Sequence, residues 1–127
     1  MGVLGVGGLF FRARDPDTLA NWYRQHLNVG PGCVAPGAGA ADDNSWMTTG
    51  GPVVFAPFPN DTDYLPVEKA FMLNLRVSDL ARLIDQLRNS GIDIVTKDEW
   101  NDPSIGHFAR LHDPEGNAIE LWEPPGS

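Results

Sequence analysis

Cysteine occurs once in this chain, at Cys33, so no internal disulfide can form and nothing in the composition points to an oxidising compartment. Basic residues are scarce as well. Nine Lys and Arg stand against seventeen Asp and Glu, giving a formal net charge of −8 and a pI near 4.6. Nucleic acid and anionic membrane surfaces both demand a surplus of positive charge on some face, so neither is expected as a partner. Long apolar runs are missing too: no stretch approaches the ~20 apolar residues of a membrane span. The start Met1-Gly2-Val3-Leu4-Gly5 lacks the basic n-region and apolar core of a signal peptide, and a soluble, cytoplasmic protein is expected. A Gly-rich phosphate loop, a Cys-x-x-Cys pair and a Ser-His-Asp pattern are also absent. What remains is a chain of 127 residues, 42% hydrophobic, which suits one domain with a real core.

The most informative stretch is Leu111-His112-Asp113-Pro114-Glu115-Gly116-Asn117-Ala118-Ile119-Glu120-Leu121-Trp122, which reads as a tight hairpin. Pro114 presets φ for the turn and Gly116 supplies the positive φ that such loops need, while Asp113 and Asn117 bond the local backbone. With residues 113–117 as the loop, His112 faces Ala118, Arg110 faces Glu120 and Phe108 faces Trp122, all on one side of the sheet. Glu120 is therefore a carboxylate among apolar strand residues with a guanidinium as its cross-strand neighbour.

Two segments share a layout of strand, Asp, amphipathic helix and turn. In the first, Leu9, Phe11 and Ala13 alternate with Phe10 and Arg12, and Asp15-Pro16 begins a helix with Leu19, Trp22, Tyr23 and Leu27 on one stripe. In the second, Leu73, Leu75 and Val77 alternate with Met72, Asn74 and Arg76. Ser78 or Asp79 then caps a helix whose stripe is Leu80, Leu83, Ile84 and Leu87, closed by Gly91. Asp15 matches Asp79, and Leu9 matches Leu73. Strand-like material follows each helix, at 43–49 and 52–58 in the first half and at 92–96, 106–111 and 118–122 in the second. Each half reads βαβββ, although the first post-helix strand of the first half is poorly marked. The segments 30–41 and 59–69 are longer than most connections in compact domains, and loops of that kind are site lids or simply flexible.

These paired halves, the ending Asp113-Pro114-Glu115-Gly116-Asn117-Ala118-Ile119-Glu120-Leu121 and the length together resemble the vicinal oxygen chelate superfamily. That superfamily holds glyoxalase I, bleomycin-resistance proteins, fosfomycin-resistance enzymes and extradiol dioxygenases. The resemblance covers nearly the whole chain. It implies an α+β fold in which two βαβββ modules, about 5–60 and 70–124 of a single domain 1–127, form a curled mixed sheet around a cavity. It also implies a homodimer. Metal-using members carry ligands on the first strand of each module and on the strand after the Asp-Pro turn. Counting back seven residues from Asp15 and from Asp79 reaches Gly8 and Met72, so only Glu120 matches. One carboxylate is too few for a catalytic divalent metal, which takes about three protein donors.

Glu120 is a metal ligand on one reading and the partner of Arg110 on the other; the pairing is favoured, since an opposite-strand Arg can satisfy a carboxylate bidentately. Arg12, Arg76 and Arg110 share the parity of the cavity-facing positions of the resemblance. Arg12 and Arg76 stand near strand ends, where solvent or Asp15 and Asp79 can take them, so Arg110 is the anion-binding candidate. Phe10, Trp46, Met72, Phe108 and Trp122 line an apolar cup on one reading and are ordinary core on the other. His26, His107 and His112 do not share a face, and Cys33 has no basic neighbour in sequence. The expected function is metal-independent binding of a small organic molecule, with Arg110 and Asn74 suiting an anionic one and no cofactor. The alternative is a metal-dependent lyase, isomerase or dioxygenase of the glyoxalase I type that uses Glu120 as a ligand.

Overall fold

A computed structural model describes residues 9, 11, 13–40, 42–50 and 59–126. The elements run α1 (Pro16–Leu27), β1 (Leu73–Arg76), α2 (Leu80–Asn89), a single 3-10 turn (Asp98–Trp100), β2 (His107–His112) and β3 (Ala118–Glu123). Both helix starts follow the local chemistry of the sequence. Asp15 caps α1 by accepting from the Thr18 amide at 3.1 Å, with Pro16 in the first turn where no amide hydrogen is needed. Asp79 caps α2.

The strands form an open, mixed sheet of order β1-β3-β2, with β1 parallel and β2 antiparallel to the central β3. Alternation then sorts the side chains. Leu73, Leu75, Ala109, Leu111, Ile119 and Leu121 share the face that packs against Leu19 and Tyr23 of α1 and Leu80 and Leu87 of α2. That layer is the core. The opposite face carries Asn74, Arg110, Phe108, Glu120 and Trp122. Carboxylates of the hairpin fasten both helix entries: Glu115 accepts from the Arg14 and Asp15 amides, and Glu123 accepts from the Leu80 amide at 2.8 Å.

The hairpin register is the one expected, with His112 opposite Ala118, Arg110 opposite Glu120 and Phe108 opposite Trp122. Two expected strands are reduced to single bridges, Val34 with Met47 for 43–49 and Val95 with Arg110 for 92–96. In the second case Ile94 turns into the core and the polar run after Thr96 enters the Asp98–Trp100 turn, so only Val95 reaches the edge of β2. The expected strand 52–58 lies outside the described residues, as do Phe10, Arg12 and Gly8. Among the described residues, no helix is long and apolar enough to cross a membrane.

Candidate functional site

One row crosses the sheet on its outer face: Asn74 pairs with Glu120 across β1 and β3, and Glu120 pairs with Arg110 across β3 and β2. Glu120 is 9% exposed. A carboxylate so placed needs partners, and among the described residues it has two. Asn74 Nδ2 donates to Oε1 at 2.8 Å, and the phenol of Tyr64 donates to Oε2 at 2.5 Å, the short distance of a charge-assisted bond. Tyr64 comes from the 59–69 loop, which thus supplies a site residue.

Arg110 commits both of its backbone groups to Val95 in reciprocal 2.9 Å bonds and stands opposite Glu120 in the ladder with β3. Its side chain is therefore aimed by the sheet. The guanidinium carbon lies 4.5 Å from the centre of the Tyr64 ring and 5.6 Å from that of Trp100, and those two rings meet edge to face. Arg110 Nε and Nη2 are buried and have no hydrogen-bond partner among the described residues. A two-pronged bond to Glu120 needs two guanidinium nitrogens, so the expected bidentate pairing is not formed. The reason is the phenol: it occupies Glu120 Oε2 and spreads its ring over the guanidinium, exchanging an ion pair for a cation–π contact.

Lys97 adds a second cation, 5.2 Å from the Trp100 ring centre. Two of the nine basic side chains thus converge on one indole. Beside the row, Phe108 and Trp122 stack at 6.3 Å with nearly parallel rings, and Trp122 Nε1 donates to the Ile105 carbonyl at 2.9 Å. Met72 is half-buried next to β1, whereas Trp46 is exposed in the segment bridged to Val34. Arg76 donates to the Thr49 carbonyl at 2.8 Å. The histidines stay apart, with His26 against Trp22, His107 beside Asn101 and His112 exposed at the end of β2. Sequence reasoning missed Tyr64 and Trp100. The length of the 59–69 loop was a signal for the first, and none marked the second.

Burial, and then the bond to Glu120, pushes the Tyr64 phenol up to about 12 from the usual 10.0. Tyr23 is raised as well, by burial and by its bond to Asp113. Both groups keep their protons in the folded chain at a pH where the unfolded chain releases them. Their stabilisation is complete below about pH 10 and falls as pH rises through the folded values. The urea midpoint should therefore drop between about pH 9 and about pH 11.5, with a shallower drop in Tyr64→Phe and in Tyr23→Phe. A slope unchanged in both variants would remove these phenols as its source.

A divalent metal does not fit this donor set. Among the described residues, no three of His, Cys, Asp and Glu gather in a way that could hold one. Glu120 is bonded through both oxygens and faces a guanidinium, Met72 offers only a thioether, and Gly8 has no side-chain donor in any conformation.

Comparison with known proteins places these features. No curated protein matches the chain. Among solved structures, TnmS3, an antibiotic-binding protein from Streptomyces sp. CB03234, is similar over 98% of this chain and 98% of its own, with a TM-score of 0.60 and 21% identity. That likeness shows the fold. The family described as glyoxalase-like domain matches residues 8–122. The chain with this Asn74-Glu120-Arg110 row on the sheet face opposite the helices is accordingly a member of the glyoxalase-like domain family, within the vicinal oxygen chelate superfamily.

Proposed function

We propose that this protein binds a small organic anion on the outer face of the sheet, without a metal, using Arg110 as the charged anchor and Asn74, Phe108 and Trp122 as walls. The observation that carries the reading is the pair of buried, unpartnered donors on Arg110. Native proteins leave few buried donors unsatisfied, and each one left calls for a physical reason, which a bound acceptor supplies here. A carboxylate or phosphate on the guest supplies the missing acceptors in a fork geometry. Lys97 and the aromatic face of Trp100 suit a planar anion. The antibiotic-binding description of TnmS3, on the same fold, supports a small-molecule guest. A homodimer belongs to this reading, supported by the exposure of Leu9, Phe11 and Phe71 near one another, which apolar contact with a second copy would cover.

The test is a titration with planar aromatic carboxylates followed by tryptophan emission. Arg110→Met should weaken acids by about tenfold or more, the worth of a charged hydrogen-bonding pair, and leave neutral analogues unchanged. The same variant should cost only about 1–2 kcal/mol of stability, the worth of the ring contacts it loses, because it removes unsatisfied donors rather than creating them. Chelator should not alter the affinity. Acid binding that is indifferent to Arg110→Met, or that disappears with chelator, contradicts the proposal.

A further inference from the structure

Arg110 Nε and Nη2 are buried beneath the very group that fails to satisfy them. The Tyr64 ring covers the guanidinium, yet its hydroxyl is committed to Glu120, so the phenol meets the carboxylate's need and leaves Nε and Nη2 without an acceptor among the described residues. A guest that stacks flat on Arg110 has to take the place of this ring. We propose that Tyr64 is an intramolecular stand-in for the guest, and that the guest is a planar aromatic compound whose own hydroxyl replaces the Tyr64 hydroxyl on Glu120. This rests on the reading of the outer face as an anion-binding site.

Three features of the site lead to it. Displacing Tyr64 strips Glu120 Oε2 of its donor, while Asn74 still occupies only Oε1. A guest without a donor would leave a buried carboxylate oxygen unsatisfied and would place its own lone pairs against it. A hydroxyl restores the bond. The flat face of the guest then replaces the phenol ring against Arg110 and meets the edge of Trp100, which now contacts Tyr64. Finally, the 59–69 segment has turn bonds of its own, Thr62 to Pro59, Tyr64 to the Thr62 hydroxyl and Lys69 to Pro66, and is not a strand of the sheet. Swinging Tyr64 out breaks no strand ladder among the described residues.

A stand-in lowers the apparent affinity by the fraction of time the site is open, so removing it should tighten binding. The wild type, Tyr64→Ala and Tyr64→Phe are titrated with 4-hydroxybenzoate, 4-methoxybenzoate and benzoate, read by tryptophan emission. Tyr64→Ala should bind 4-hydroxybenzoate about tenfold more tightly than the wild type and prefer it to the methyl ether and to benzoate by a similar factor. Tyr64→Phe keeps the ring and loses the bond, so its gain should be smaller and of the same sign. It also serves if the alanine variant folds poorly. In a separate melting experiment, p-cresol should raise the midpoint of Tyr64→Ala and toluene should not.

Equal affinities across the three proteins, with acids still dependent on Arg110, would overturn the stand-in and leave the anion site intact. Weaker binding by Tyr64→Ala would overturn it as well, making Tyr64 a wall that grips the guest. A hydroxyl that confers no preference would overturn the assignment of guest class. No binding by any form, and no effect of p-cresol, would defeat both this inference and the reading on which it rests.

Discussion

Gly106→Ala should cost about 3 kcal/mol or more of stability, lowering the melting midpoint by about 10 °C. Gly106 has φ +125, a region L side chains rarely adopt, and a Cβ there would overlap the backbone carbonyl oxygen of Glu123. Backbone has little room to yield. The same Cβ would lie 3.0 Å from Trp122 Nε1, which bonds the neighbouring Ile105 carbonyl. The strain therefore passes directly into the wall that Trp122 forms with Phe108. Tryptophan emission should report a more exposed indole even below the melting transition. A urea midpoint matching the wild type would show that β2 enters the sheet more loosely than this geometry requires.

The second large effect concerns Asp113, only 5% exposed at the corner of the hairpin. Its Oδ1 accepts from the Glu115 and Asn117 amides at 2.8 and 3.0 Å, and its Oδ2 accepts from the Asn117 side chain at 2.7 Å and the Tyr23 hydroxyl at 2.8 Å. Alanine at this position orphans four donors, one of them a buried phenol on α1. The expected loss is about 3–4 kcal/mol, given roughly 1–3 kcal/mol for each buried group left unsatisfied and partial access to water for the others. Asp113→Asn, which keeps an acceptor oxygen, should lose less. Combining Asp113→Ala with Tyr23→Phe should cost less than the two separate losses together, because the second change removes the donor that the first orphans. Strict additivity in urea unfolding would mean that the bond between α1 and the hairpin contributes nothing. The site depends on this corner, since a one-residue slip of β2 against β3 would send Arg110 and Glu120 to opposite faces.

The hairpin and both helix starts were legible in the amino-acid sequence because their causes are local. Asp113, Pro114, Gly116 and Asn117 specify a turn within five residues, and turn length then decides which strand residues stand opposite. Asp15 with Pro16, and Asp79, act within one helical turn. The strand expected at 92–96 was overcalled, because apolar alternation describes a face and not whether a neighbour pairs along it.

The site was legible in outline and misread in detail. Periodicity placed Asn74, Arg110 and Glu120 on one face of the sheet, and register put Arg110 beside Glu120. Whether those charges bond depends on what else enters the space between them, and that came from Tyr64, 56 positions away from Glu120, and from Trp100 on a three-residue turn. The sequence by itself determined the turn, the caps and the sorting of side chains onto two faces, since each follows from residue type and short-range spacing. Only the tertiary structure decided that the phenol, and not the guanidinium, bonds the carboxylate, because the path of a loop back to the sheet is set by packing over the whole chain and leaves no period in the sequence to read.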